Sequence, residues 1–328
     1  MSLKPKKILV TGGLGFLGAP LCRALLTDGH AVRILDDASR GRIDKLGDAA
    51  TQVEIVQADI RDAAAVTRAA QGIDSIFHLA YVNGTRFFYE RPRHVLDVGV
   101  RGMLNVLDAS AAAGVRELVL ASSSEVYQTP PSVPTDEQVP LSIPDVTNPR
   151  YSYGGGKIVS ELLALHHGRE IYERVLVFRP HNVYGPNMGW EHVIPELTVR
   201  MKRLADAHPG ETVRFPIQGD GAETRAFVFI DDFVEGIIAM WARGEHLGIY
   251  NVGTREEVRI AALAEKIAAA VGVRIVLQPG PARAGGTPRR CPDITKLAAL
   301  GYQPRIAIDE GLARTVPWYV ANAERAPA

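Results

Sequence analysis

The stretch Val10-Thr11-Gly12-Gly13-Leu14-Gly15-Phe16-Leu17-Gly18 limits what this chain can fold into more than any other. It follows the apolar run Ile8-Leu9-Val10 and precedes Leu17, Leu21, Leu25 and Leu26 at helical spacing, so the sequence predicts a strand, a turn and a helix in succession. Glycines at 12, 15 and 18 suit that junction: one permits the tight turn, one lets a pyrophosphate approach the backbone, and one brings the helix close to the sheet. The helix N-terminus then offers unpaired N–H groups and a partial positive charge to phosphates. A second strand, Ala31–Leu35, ends at Asp36-Asp37, near the separation at which a carboxylate grips an adenosine ribose.

Alternation of strands and helices continues. Val53–Val56 reads as a third strand ending at Ala58-Asp59-Ile60, where Asp59 can meet an adenine ring. A helix over about 63–70 leads to a fourth strand, Ser75–Leu79, and this spacing argues for right-handed βαβ units and a doubly wound parallel sheet. Residues 92–113 read as one long helix that contains Gly99 and Gly102. Interior glycines cost about 1 kcal/mol each relative to alanine, so close packing against another element is expected there. The fifth strand, Glu117–Ala121, delivers Ser122-Ser123-Ser124-Glu125 to the C-terminal edge of the sheet, where ligands of open α/β sheets bind.

The proline-rich, polar segment 129–149 reads as a loop whose length points to function or to wrapping. A helix over 151–172 follows, with Tyr153-Gly154-Gly155-Gly156-Lys157 in its first turn; Tyr153 and Lys157, one turn apart, share a face. The sixth strand, Arg174–Phe178, ends at Arg179-Pro180-His181-Asn182. Beyond Arg179, Pro186, Gly189, Pro195, Pro209 and Pro216 punctuate shorter elements, so residues 1–179 are expected to form the dinucleotide-binding domain and residues 180–328 mainly a smaller α/β substrate lobe. Residues 225–255, a strand at 225–230, a helix and a strand at 248–252, are expected to pass back to the first domain. Amphipathic helices are expected at 258–271 and, broken near Pro317, at 308–322.

Composition narrows the chemistry. Thirty-seven Lys and Arg balance 37 Asp and Glu, which gives no reason to expect nucleic acid or a polyanionic surface as partner. Cys22 and Cys291 stand far apart with no metal-like spacing, so no metal site is expected and neither thiol is expected to be catalytic. The basic start, Met1 to Lys7, runs straight into the first strand and does not read as a signal peptide, and no run of eighteen apolar residues spans a membrane. A cytoplasmic enzyme acting on a small molecule is the expectation.

The motifs Thr11-Gly12-Gly13-Leu14-Gly15-Phe16-Leu17-Gly18, Asp36, Asp59-Ile60, His78-Leu79-Ala80, Ser122-Ser123-Ser124, Tyr153-x-x-x-Lys157 and Arg179-Pro180-His181-Asn182-Val183-Tyr184-Gly185-Pro186 together resemble the extended short-chain dehydrogenase/reductase superfamily, most closely its nucleotide-sugar epimerase/dehydratase branch. Gly219-Asp220-Gly221 with Arg225, and Arg290-Cys291-Pro292-Asp293, extend the likeness through most of the chain. The resemblance implies a Rossmann fold that binds NAD through Gly12, Gly15, Phe16, Leu17, Gly18, Asp36, Asp59, Ile60, Leu79, Ala80, Tyr153 and Lys157. A carboxylate at Asp36 accepts both ribose hydroxyls and repels a ribose phosphate, which favours NAD over NADP, while Arg40 and Arg42 close by pull the other way.

It further implies that Tyr153 is the base, activated by Lys157 and the nicotinamide cation, and that Ser123 hydrogen-bonds the hydroxyl being oxidised. A nucleotide-diphosphate sugar would be held by Asn83, Ser124, Asn182, Arg225 and Arg290, with Val213 and Phe215 flanking the base. All branches begin by removing a proton from the sugar C4 hydroxyl while hydride passes from C4 to NAD, giving a 4-keto sugar. A 4-epimerase needs nothing more than room for that sugar to turn over; a 4,6-dehydratase or decarboxylase adds acid/base groups, for which Glu125 is present and Ser124 stands where an Asp is usual. Epimerisation makes the fewest demands and is the leading expectation; a non-catalytic NAD-binding sensor is disfavoured by Ser123, Tyr153 and Lys157 occurring together.

Two departures from the family pattern stand out. Val98-Gly99-Val100-Arg101-Gly102-Met103 lacks the Asn usual in that helix, and His78-Leu79-Ala80 runs into an unusually aromatic loop, Tyr81–Tyr89, expected to shape the sugar pocket. The helices at 92–113 and 151–172 correspond to those that pair between subunits in relatives, which implies a homodimer.

Overall fold

The computed structural model describes residues 4–281 and 287–327; Met1 to Leu3 of the basic N-terminal stretch lie outside them. The chain opens with β1 (Lys7–Thr11), α1 (Gly18–Thr27), β2 (Ala31–Asp36), β3 (Glu54–Gln57), α2 (Ala63–Ala70) and β4 (Ser75–His78). There follow α3 (Thr85–Glu90), α4 (Pro92–Leu96), α5 (Gly102–Ala113), β5 (Glu117–Ala121), α6 (Ser152–Ile171) and β6 (Arg174–Pro180). Shorter elements come next: β7 (Val183–Tyr184), α7 (Val193–Ala207), β8 (Thr212–Ile217), β9 (Thr224–Ala226) and β10 (Val228–Phe229). The rest are α8 (Ile230–Arg243), β11 (Gly248–Val252), β12 (Glu257–Arg259), α9 (Ile260–Val271), β13 (Arg274–Pro279), β14 (Arg289–Arg290), α10 (Thr295–Ala298) and α11 (Ile308–Ala321).

Seven strands form one parallel sheet in the order β11-β6-β5-β4-β1-β2-β3. Side chains alternate between its faces. Ile8, Val10, Ile34, Phe77, Val119, Leu176 and Phe178 pack with α1 and α8, whereas Leu9, Leu35, Ile76, Leu118, Leu120, Val175 and Val177 pack with α2, α5 and α6. Burial on both faces is why these strands read as unbroken apolar runs. The chain steps outward from β1 to β2 and β3, then returns to β4 on the other side of β1, so the loops after β1 and β4 part at the C-terminal edge and open a crevice there. Strand β11 extends the sheet beside β6.

The loop after β5 wraps. Thr135 donates its N–H to Cys291 O and accepts from Asp293 N–H, which pins the loop to the segment carrying Arg290. Three local expectations are corrected. The segment 225–230 is two short strands in different sheets, β9 against β12 and β14 and β10 against β7, because the chain changes partners at Phe227. The helix expected to break at Pro317 runs unbroken, since α11 is held by Leu312, Val316 and Tyr319 in the main core and can carry one missing N–H. The 92–113 helix is continuous but widens into a π turn at Asp97–Arg101, around Gly99. Among the described residues no helix is long and apolar enough to cross a membrane.

Candidate active site

The crevice is a cleft of about 660 Å³ lined by Gly12, Gly15, Phe16, Leu17, Gly18, Asp36, Asp59, Ile60, Leu79 and Ala80 at one end. Asn83, Ser123, Ser124, Glu125, Tyr153, Lys157, Asn182 and Arg290 line the same cleft.

The three loop glycines are needed for different reasons. Gly12 has φ +73°, and a Cβ there would lie 2.8 Å from Ala80 N, so the loop passes hard against the chain leaving β4. A Cβ on Gly18 would lie 2.2 Å from Gly12 O and 2.7 Å from Gly13 Cα, which fixes how tightly α1 sits on the loop. At Gly15 a Cβ would meet only Gly12 O, at 3.1 Å, leaving the backbone open to the cleft. The N-terminus of α1 carries no side-chain cap; Ala19 and Leu21 donate back to Gly15 O and Leu17 O, and Pro20 has no N–H, so Gly18 is the donor of that first turn left for the opening. Gly18→Ala is expected to destabilise the protein by about 1–3 kcal/mol and to weaken dinucleotide binding, because both obstructing atoms are backbone. Thermal melting with and without NAD checks this, and an unchanged melting temperature in both would contradict it.

Asp36 receives the N–H groups of Leu14 and Ala38 at 3.0 and 2.9 Å, so it braces the glycine loop while its carboxyl borders the cleft. Burial pushes its pKa up and those two N–H groups pull it back. Arg40 and Arg42 also border the cleft, with Arg42 forked onto Asp44 and Arg40 over the Phe87 ring at 5.5 Å. Asp59 is clasped by Arg61 at 2.6 Å. A backbone cradle open at Gly15, the start of α1 at Gly18 and an acid at the end of β2 fit a dinucleotide.

Tyr153 and Lys157 both sit in the first turns of α6 and are buried, facing Ser123 at the end of β5. Glu125 N–H donates to Ser123 Oγ at 3.2 Å, so this serine caps the turn at 124–126, and it lines the cleft with Tyr153. Burial pushes the Tyr153 phenol up to about 12, opposed by the Ser123 hydrogen bond. The Tyr153 ring stacks on Phe88 at 4.8 Å and meets the Tyr81 ring edge-on at 5.2 Å. Lys157 Nζ donates to Ala121 O at 2.6 Å, and burial pulls its pKa down to about 7. The Lys157 ammonium lies 5.9 Å from the Tyr153 ring centroid, and a positive charge there favours the phenolate over the phenol.

At the other end, Arg290 lines the cleft, whereas Arg225, beside it in the paired strands β9 and β14, does not line it and donates to Thr224 O at 2.7 Å. Arg290 Nη1 donates to Glu125 Oε1 at 2.5 Å and Arg150 lies 3.9 Å from the same carboxylate, so three guanidiniums including Arg225 surround one acid. Burial pushes Glu125 up, yet Arg290, Arg150 and Arg225 together hold it below the usual carboxylate range. Arg150 was not foreseen; its only sequence signal is its place just before the Tyr153 helix. Asn182, at φ +40°, donates from its amide to Ala226 O at 3.1 Å, joining β9 to the cleft wall. Val213 and Phe215 do not flank the cleft: alternation along β8 turns both into the core beneath it, and Phe215 is wholly buried. That correction follows from the pairing of β8 with β13, which the sequence did not reveal.

Two buried histidines support the frame. His78 Nδ1 pairs with Thr11 Oγ1 at 2.7 Å, and His181 Nε2 with Asn251 Oδ1 at 3.0 Å. Burial lowers both from 6.5 to about 3. The unfolded chain therefore binds more protons between those values, and stability should be full above about pH 6.5 and fall on acidification by up to about 1.4 kcal/mol per pH unit for each histidine. Urea unfolding at neutral pH and at about pH 5 reads this directly; equal unfolding free energies would contradict it.

Comparison with known proteins follows the same lines. A family model described as the NAD dependent epimerase/dehydratase family matches residues 8–253. A UDP-glucose 4-epimerase of Mycolicibacterium smegmatis is 35% identical over 95% of this chain and 98% of its own length. A UDP-glucuronic acid decarboxylase of Arabidopsis thaliana is 30% identical, over 95% of this chain and 69% of its own. The crystal structure of a dTDP-glucose 4,6-dehydratase of Streptomyces venezuelae with NAD bound superposes with a TM-score of 0.84 at 30% identity, covering 98% of each chain.

Proposed function

We propose that this chain, which belongs to the NAD dependent epimerase/dehydratase family, is a nucleotide-sugar 4-epimerase that works through a transient 4-keto sugar. The observation that carries the proposal is the placing of Tyr153, Lys157 and Ser123 in one cleft with a glycine loop and Asp36 fitted to NAD. NAD, when bound there, supplies the hydride acceptor and donor. Tyr153 takes the proton of the sugar C4 hydroxyl and later returns it, Lys157 keeps the phenolate accessible, and Ser123 orients the hydroxyl. Arg290, on the cleft wall and paired with Glu125, offers its second Nη to the diphosphate, Arg225 stands beside it in β9, and Asn182, Asn83 and Ser124 lie along the sugar's path.

The state of Glu125 favours epimerase over lyase. Elimination or decarboxylation needs a proton donor as well as a base, and a carboxylate gripped by Arg290 and Arg150 is a poor donor. A dehydratase or decarboxylase is the second reading, because Glu125 does line the cleft beside Ser123. Incubation with UDP-, dTDP-, GDP- and CDP-sugars separates them: a new stereoisomer of unchanged mass supports epimerisation, and loss of water or carbon dioxide overturns it. Glu125→Gln is expected to keep kcat within a few-fold, whereas an acid/base role would cost about 10²-fold or more.

A homodimer through α4–α5 and α6 belongs to the same proposal. Leu96, Leu104, Val159 and Leu162 on these helices are exposed and apolar, which suits a surface covered by a second copy. Leu162→Glu is expected to yield monomers by light scattering, and a variant of unchanged mass would count against this interface.

A further inference from the structure

The aromatic residue that follows the β4 motif occupies a slot made for it. Tyr81 leaves the cleft wall and inserts its ring between the π turn and α6, where its hydroxyl is buried with no hydrogen-bond partner. A Cβ on Gly99 would lie 2.2 Å from Tyr81 Cζ and Oη, and a Cβ on Gly156 would lie 2.1 Å from Oη. Two helix-interior glycines, each unfavourable by propensity, therefore make room for a single phenol. The ring does not stop at filling space. Lys157 Nζ lies over its face, 4.0 Å from the centroid, and it packs perpendicular to the Tyr153 ring, with centroids 5.2 Å apart.

We propose that Tyr81 is the positioning residue of the Tyr153–Lys157 pair, its π face holding the Lys157 ammonium and its perpendicular contact fixing the Tyr153 ring. The proposal rests on the reading of Tyr153 as the base. The ammonium otherwise has Ala121 O as its one hydrogen-bond acceptor among the described residues. The titratable groups around it are Tyr153 and Glu161 on its own helix, His78 at the end of β4, and Tyr81. Glu161 favours the charged Lys157 from one turn along α6 but shares its carboxylate with Arg179 at 2.6 Å, and His78 is neutral in its burial. An aromatic face is attracted to a desolvated cation and needs no proton of its own. In this setting it keeps Lys157 charged, and a charged Lys157 keeps the phenolate of Tyr153 within reach at neutral pH.

The test uses the NAD-loaded protein and three variants: Tyr81→Phe, which keeps the ring; Tyr81→Leu, which removes it; and Gly156→Ala, which displaces it without altering Tyr81. The readout is the pH titration of tyrosinate ultraviolet absorption, taken as the difference between each protein and the same protein carrying Tyr153→Phe. Tyr81→Phe should titrate as the parent does. Tyr81→Leu and Gly156→Ala should move the Tyr153 transition upward by about one pH unit and lower kcat about tenfold with little change in KM. A Tyr153 transition unmoved in both variants, or moved equally by Tyr81→Phe, overturns the role of the ring face. Absence of a Tyr153 transition in the parent itself would overturn the base assignment and this inference with it.

Discussion

Tyr153→Phe is expected to lower turnover by about 10³-fold while leaving NAD and nucleotide-sugar binding nearly unchanged. The substitution removes one oxygen. The ring contacts that hold the side chain, stacked on Phe88 and edge-on to Tyr81, remain available to phenylalanine, so α6 has no reason to move. What disappears is the phenol oxygen, on a side chain that shares a helix face with Lys157 beside Ser123 at the end of β5. Binding measured by calorimetry and turnover measured by product analysis separate the two consequences. Loss of binding in parallel with turnover would mean that the phenol had been holding the fold or the ligand, and turnover near the parent value would remove it as the base.

The second large effect lies one layer beneath the site. Glu161 of α6 accepts from Arg179 of β6 through both oxygens, at 2.9 and 2.6 Å, and also accepts from the Ser122 hydroxyl. Arg179 in turn donates to Tyr127 Oη at 2.7 Å and to Glu137 O at 3.2 Å. Both side chains are only 2–3% exposed. Removing one partner leaves a buried charge without compensation, so Glu161→Gln is expected to destabilise the protein by about 3–5 kcal/mol. The double replacement of Glu161 and Arg179 by Leu and Met should recover much of that loss, since it removes both charges together. Denaturant unfolding of the three proteins tests this, and a single-variant loss below about 1 kcal/mol would contradict it. The pair ties the helix that carries Tyr153 and Lys157 to the strand ends that carry Ser122 and Ser123, so weakening it should also reduce turnover.

Much of the site was legible because its chemistry is local in sequence. The glycine loop is a strand–turn–helix junction whose meaning lies within nine residues, and the Tyr153–Lys157 spacing is one helical turn. Asp36 could be placed because strand length fixes where β2 ends. The long loop after β5 could be read as wrapping, but not against what, since its partners Cys291 and Asp293 lie far along the chain. The same distance hid the commitment of Arg290 to Glu125, 165 residues apart. Alternation within β8 puts Val213 and Phe215 on one face but does not say that this face is buried in the core. Gly99 and Gly156 could be recognised as costly, whereas the phenol that explains both enters from a third element.

The most direct test of the central claim is to let the purified protein act on a nucleotide sugar that it converts, UDP-glucose first, in deuterated water, and to examine the product by mass and NMR. A proton taken only from oxygen by Tyr153, with the carbon-bound hydrogen of C4 carried out and back as hydride, predicts a C4 stereoisomer of unchanged mass with no deuterium on carbon. Deuterium at a ring carbon, or a product lighter by water or carbon dioxide, would contradict it.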